Sequence, residues 1–160
     1  MTLPSRLRVL FLCTGNSCRS QMAEGWARHL LRDCVDACSA GIDPHGLNPL
    51  AVRAMSEAGV DISGHSSGLV EEVSPESLDL VVTVCGHAQE NCPVFLSRSA
   101  RTRVVHHGFD DPPELAADAG SDDEAMPHYR RVRDEIRMFI ETTLPSVLGE
   151  LGPNAGGDAR

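Results

Sequence analysis

The chain has 160 residues, with 14 basic and 23 acidic side chains and a formal charge of −9 at pH 7. That length suits one domain able to bury a core without metal or disulfide staples, and the acidic balance argues against nucleic acid and anionic membranes as partners. No apolar run reaches the ~18 residues of a membrane helix, and the first residues lack the apolar stretch of a secretory leader. A cytoplasmic location is expected, where six cysteines point to catalysis, metal binding or burial rather than structural disulfides.

In chain order, Arg8-Val9-Leu10-Phe11-Leu12-Cys13 is a short apolar run ending in a Gly/Asn/Ser-rich turn, the pattern of a buried strand feeding a loop. Met22, Ala23, Trp26, Ala27, Leu30 and Leu31 recur at three- and four-residue spacing and predict a helix from about Ser20 to Arg32. Val35 to Gly41 suits a second strand. Asn48-Pro49 then supplies an N-cap and a proline at the first helical position, and Gly59 closes that second helix.

Leu80-Val81-Val82-Thr83-Val84-Cys85 is β-branched and almost wholly apolar, as a central parallel strand should be. Thr102 to His107 offers a weaker fourth strand, and Asp118 to Glu124 reads as a solvated acidic loop. A last helix carries Tyr129, Val132, Ile136, Phe139 and Ile140 on one face and is expected to fray near Pro145. The pattern predicts an α/β fold: a single domain over residues 1–150, with a four-stranded parallel sheet flanked by helices on both faces and a disordered tail at 151–160. Ligands of such sheets sit at the carboxyl ends of the strands, where Cys13 and Cys85 both fall.

Cys13-Thr14-Gly15-Asn16-Ser17-Cys18-Arg19-Ser20 is a cysteine, five residues and an arginine between a predicted strand and a predicted helix. A loop of that length can turn successive N–H groups inward at a helix N-terminus, forming a nest for an anion. Arg19 adds a planar two-pronged donor for a tetrahedral oxyanion. The same field favours a Cys13 thiolate, and Ser20 can donate a hydrogen bond to it.

Leu12 to Gly25, LCTGNSCRSQMAEG, resembles the phosphate-binding loop of the low-molecular-weight tyrosine phosphatase superfamily, and more closely the thioredoxin-coupled arsenate reductases built on that fold. The similarity continues through Ser39-Ala40-Gly41, His45-Gly46-Leu47-Asn48-Pro49, Val81 to Pro93, Gly108 to Pro112 and Arg131 to Ile136. The resemblance implies that Asp111, the aspartate preceding proline, is the general acid. It also implies a relay in which Cys85 attacks the sulfur of a Cys13–arsenic adduct and Cys92 then attacks Cys85. The resulting disulfide is re-reduced by thioredoxin. The expected partners are therefore arsenate and thioredoxin, acting on a monomer with no tightly bound cofactor.

A low-molecular-weight tyrosine phosphatase is the alternative, and residual phosphatase activity would fit the same loop. Against it, the chain has one tyrosine, and Asp111 is followed by Pro112-Pro113-Glu114-Leu115 where the phosphatases carry a tyrosine pair lining the substrate cleft. A non-enzymatic redox sensor is a third reading. Cys18 reads as a loop-packing residue, while Cys34 and Cys38 match no motif. No cysteine pair has C-x2-C spacing, so no zinc site is expected. Reductases of this group that bind potassium use oxygen ligands matching Asn16, Glu24, Ser39 and an aspartate. Gly68 takes the last position here, with His65 nearby, so no metal site is predicted.

Overall fold

Val9, Leu10, Phe11, Leu12 and Cys13 are buried in unbroken succession along β1 (Leu7–Cys13), so both faces of this strand are covered and its apolar run has no alternation. The computed structural model describes residues 6–74, 77–84 and 102–151. β2 (Val35–Gly41) pairs with β1 on one side, from Leu7 opposite Val35 to Cys13 opposite Gly41. β3 (Leu80–Thr83) pairs on the other side, from Val9 opposite Leu80 to Leu12 opposite Thr83. β4 (Arg103–His106) adds the edge beyond β3 and is largely exposed. All pairs are parallel in the order β2-β1-β3-β4. The strand order reverses between β1 and β3, and that reversal opens a crevice at the carboxyl end of β1, where Cys13 stands.

α1 (Arg19–Leu30) follows β1 and buries Met22, Ala23, Trp26 and Ala27. Its Trp26 Nε1 donates to the Arg133 carbonyl at 3.1 Å, and the Arg137 guanidinium lies 5.0 Å from the indole ring centre. Truncating so buried an aromatic costs about 3–5 kcal/mol. α2 (Pro49–Glu57) starts as its sequence dictates: the Asn48 side chain accepts the N–H groups of Leu50 at 2.8 Å and Ala51 at 3.3 Å. Gly59, at φ +87, turns the chain out of it.

Two expectations need correction. The acidic stretch is not all loop, because Asp122, Asp123 and Glu124 form the first turn of α4 (Asp122–Met138), capped by the Ser121 hydroxyl. Carboxylates favour that end of a helix, where the dipole is positive. Nor does the last helix fray near Pro145. Residues Phe139–Thr143 form a π-helical turn in which the Leu144 N–H reaches back to the Phe139 carbonyl, and the chain continues as Leu144–Leu151. A wider turn ahead of Pro145 eases the clash its ring makes with the carbonyl four residues back in an α-helix, though the proline still lacks an N–H. Before α4, Asp111 is the N-cap residue of a one-turn helix, α3 (Pro112–Leu115). The terminal helix Leu144–Leu151 is α5. Among the described residues no helix is long and apolar enough to cross a membrane. The expected tail beyond Leu151 lies outside the described residues.

Candidate active site

Residues 14–18 join β1 to α1 and spend their carbonyls outward. The Thr14 carbonyl accepts from Asp43 N–H at 2.8 Å, and that of Gly15 from His45 N–H at 2.8 Å and the Ser67 hydroxyl at 3.1 Å. The Asn16 carbonyl accepts from Gln21 Nε2 at 3.0 Å and that of Ser17 from Asn48 N–H at 2.9 Å. All described peptides are trans, and a trans peptide opposes each carbonyl to the next N–H. The N–H groups of Gly15, Asn16, Ser17 and Cys18 therefore turn to the inside of the loop, making the nest that an anion requires. Asn16 holds the tightest bend at φ +46, fully buried, a left-handed conformation that asparagine tolerates better than most residues. Gly41 must be a glycine for steric reasons. A Cβ there would lie 2.8 Å from the Thr14 carbonyl oxygen and 3.0 Å from the Asn16 nitrogen.

Cys13 lies at the floor of the loop, buried, with its Sγ 2.9 Å from Ser20 Oγ; the Ser20 hydroxyl is itself 2.8 Å from Asn16 Oδ1. Arg19 closes one wall. Its Nη1 donates to the Phe109 carbonyl at 2.9 Å, and its Nη2 lies 3.5 Å from Asp111 Oδ1. The neighbouring Asp110 is turned away to Arg131, 3.1 Å distant, so Asp111 is the member of the pair that faces the cavity. That cavity encloses about 490 Å³ and is lined by Cys13, Thr14, Gly15, Ser17, Cys18, Arg19, His45, Asp111, Pro113 and Glu114. The structure thus assembles Cys13, the loop residues, Arg19 and Asp111 around one space. His45, Pro113 and Glu114 were missed as lining residues, because only the folded topology brings them to a loop 30 to 100 residues away in the chain.

Cys18 is buried within the loop, and burial, with the negative charges of Asp111 and Cys13, pushes its thiol far above the ordinary value. A thiol so held is a weaker nucleophile than an ordinary cysteine at neutral pH. Burial also raises the Cys38 thiol, to about 11. Beneath the loop, Gln21 bridges the Asn16 and Ser66 carbonyls, and its Oε1 lies 3.0 Å from His65 Nδ1. Glu24 accepts from Ser39 at 2.6 Å and pairs with Arg28 at 2.8 Å, while the Gly68 carbonyl accepts from Gly41 N–H at 2.7 Å. Among the described residues no three His, Cys, Asp or Glu side chains are grouped to hold a metal ion. Cys85 and Cys92 lie outside the described residues. Val84 precedes them, and its N–H donates to the Leu12 carbonyl at 2.9 Å, so β3 carries the chain to residue 84 alongside the entry to the Cys13 loop.

The family model for low molecular weight phosphotyrosine protein phosphatases matches residues 8–151. The chain belongs to that family. Within the low molecular weight phosphotyrosine protein phosphatase family it groups with proteins named arsenate reductase. One, from Halalkalibacterium halodurans, is 52% identical over 134 residues, covering 84% of this chain and 92% of the relative. Another, from Bacillus subtilis, is 50% identical over 138 residues, covering 84% and 95%. A solved structure described as an arsenate reductase in the phosphate binding state superposes with a TM-score of 0.70 at 29% identity, covering 88% of this chain and 98% of that one.

Proposed function

We propose that this chain is a cytoplasmic arsenate reductase that passes the oxidising equivalents of each turnover through Cys13, Cys85 and Cys92 to thioredoxin. The observation that carries the reading is the Cys13 Sγ at the floor of an inward-facing N–H nest, with Arg19 and Asp111 held 3.5 Å apart on its wall. The names and close similarity of the curated relatives support arsenate as the oxyanion.

In this mechanism the loop N–H groups and the Arg19 guanidinium bind three arsenate oxygens and leave the fourth toward Asp111. The Cys13 thiolate attacks arsenic, a sulfur–arsenic bond forms and an arsenic–oxygen bond breaks. The departing group is an arsenate hydroxyl, which takes a proton from Asp111 and leaves as water. Arsenic is still pentavalent. Cys85 then attacks Cys13 Sγ; the sulfur–sulfur bond forms as the sulfur–arsenic bond breaks, its electron pair stays on arsenic, and arsenite departs. Cys92 attacks Cys85, freeing Cys13 and leaving a Cys85–Cys92 disulfide, which takes two electrons from the dithiol of thioredoxin.

The cavity also suits phosphate monoester hydrolysis, because cysteine, arginine and a carboxylic acid suffice for it. No Phe, Tyr or Trp is among its described lining residues, however, and a phosphotyrosine ring wants large aromatic walls. One experiment separates the readings: the protein with thioredoxin, thioredoxin reductase and NADPH is given arsenate, and in parallel a chromogenic phosphate ester. Arsenate-dependent NADPH oxidation with matching arsenite supports the reductase. Ester hydrolysis with no NADPH consumption on arsenate would make this a phosphatase.

A further inference from the structure

We propose that His45 is a second cation of the oxyanion site, its imidazolium strengthening the capture of a tetrahedral dianion. This deepens the reading of the Cys13 loop as an oxyanion site and rests on it.

The geometry sets the ring on the loop. The His45 N–H donates to the Gly15 carbonyl at 2.8 Å, and a Cβ placed on Gly15 would lie 2.9 Å from His45 Nδ1, so the imidazole lies directly over that residue. On its far side Nε2 is 3.4 Å from Asp43 Oδ2. Both ring nitrogens of an imidazolium are donors. With Nε2 directed to Asp43, Nδ1 is the donor on the loop side. The side chain is 60% exposed, which places it at the mouth of the cavity, where an entering anion passes.

Charge explains why a second cation matters. The charged and titratable groups that share the cavity lining with His45 are Cys13, Cys18 and Arg19 from the loop and α1, and Asp111 and Glu114 from the start of α3; Asp43 lies on its own segment. Arg19 is the one permanent cation among these, and its guanidinium already serves the Phe109 carbonyl and Asp111. A Cys13 thiolate and the Glu114 carboxylate both oppose an anion, as does the chain's charge of −9. Of the described lining residues, His45 alone can add positive charge on protonation.

The test uses sulfate, whose charge is constant between pH 5.5 and 8, so any pH dependence of its binding belongs to the protein. Cys13→Ser removes the thiolate, and sulfate is titrated by NMR at both pH values into this variant with His45, with His45→Ala and with His45→Lys. With His45, binding should weaken about tenfold as pH rises, the scale of one partly screened charge. His45→Ala should bind weakly at both values, and His45→Lys tightly at both. In the enzyme with Cys13 restored, His45→Ala should raise KM for arsenate with kcat nearly unchanged, and His45→Lys should recover it. Equal pH dependence with His45 and with His45→Ala, in variants whose spectra stay dispersed, would overturn the proposal, as would failure of His45→Lys to restore binding. Loss of sulfate binding in every variant would instead overturn the oxyanion reading itself.

Discussion

Cys13 Sγ and Ser20 Oγ lie 2.9 Å apart in a buried setting, and the single Ser20 hydroxyl proton cannot serve both its neighbours at once. With Cys13 as a thiol, the S–H points to Ser20 and the hydroxyl donates to Asn16 Oδ1. With Cys13 as a thiolate, the hydroxyl turns to the sulfur. Ser20 thus responds to the charge of the nucleophile. Ser20→Ala should slow alkylation of Cys13 at neutral pH by roughly tenfold, the worth of one hydrogen bond to a charged group. An unchanged alkylation rate would show that the hydroxyl does not stabilise the thiolate.

Gly41 and Gly59 should separate site from scaffold. A methyl at Gly41 meets backbone atoms of Thr14 and Asn16 at 2.8 and 3.0 Å, so Gly41→Ala should distort the loop and lower kcat/KM by about 100-fold, the effect of misplacing reacting groups by about 1 Å. Gly59 has open space but φ +87. Gly59→Ala should cost about 1 kcal/mol of stability and leave kinetics alone. Steady-state kinetics beside urea unfolding distinguishes the two; the reverse pattern would refute the loop packing.

Arg19 makes two directed contacts, one to the Phe109 carbonyl and one toward Asp111. A lysine ammonium cannot reproduce them and also clamp a tetrahedral oxyanion. Arg19→Lys should therefore lose at least about tenfold in kcat/KM, or about 1.4 kcal/mol of transition-state binding. Asp111→Asn should keep arsenate binding and slow the chemical step, since an amide has no proton to give. Single-turnover kinetics reads both, and wild-type rates would remove either residue from the mechanism.

Buried thiols give the protein an alkaline weakness. Burial lifts Cys38 from an ordinary 9.0 to about 11, and Cys18 further. A thiol held protonated by the fold stabilises it fully below pH 9, and that contribution is lost as pH rises from 9 through the folded value, by up to roughly 1.4 kcal/mol per pH unit for each thiol. Urea unfolding at pH 8.0, 9.5 and 10.5 should show this decline, and Cys38→Ala should make it shallower while Cys18 maintains the rest. An identical slope in the variant would rule out Cys38 as a source.

Much of this was legible before folding. The unbroken apolar run of β1, the glycine and asparagine of its loop, and the Asn48-Pro49 start of α2 are local signals, and local sterics decided each. Pro145 misled because the chain passes it after a π-turn, which has no sequence marker comparable to a cap, and Pro127 is likewise carried inside α4 without ending it. The start of α4 could have been read from Ser121 and Glu124, the spacing of a capping box, but the run of acids around them resembled a loop. His45 belongs to the motif His45-Gly46-Leu47-Asn48-Pro49, but neither it nor Glu114 carries a local signal that places it at the Cys13 loop. They reach the cavity because the carboxyl end of β2 and the segment after β4 converge on the end of β1, which is a property of strand order and not of any segment.

The most direct test of the relay is a single turnover of Cys92→Ser with arsenate in the absence of thioredoxin, followed by arsenite quantification and peptide mapping of the linked cysteines. About one arsenite per enzyme and a Cys13–Cys85 disulfide are expected, while Cys85→Ser should release essentially none. Sustained thioredoxin-driven turnover by Cys92→Ser, or arsenite release from Cys85→Ser equal to that of Cys92→Ser, would contradict the three-cysteine mechanism.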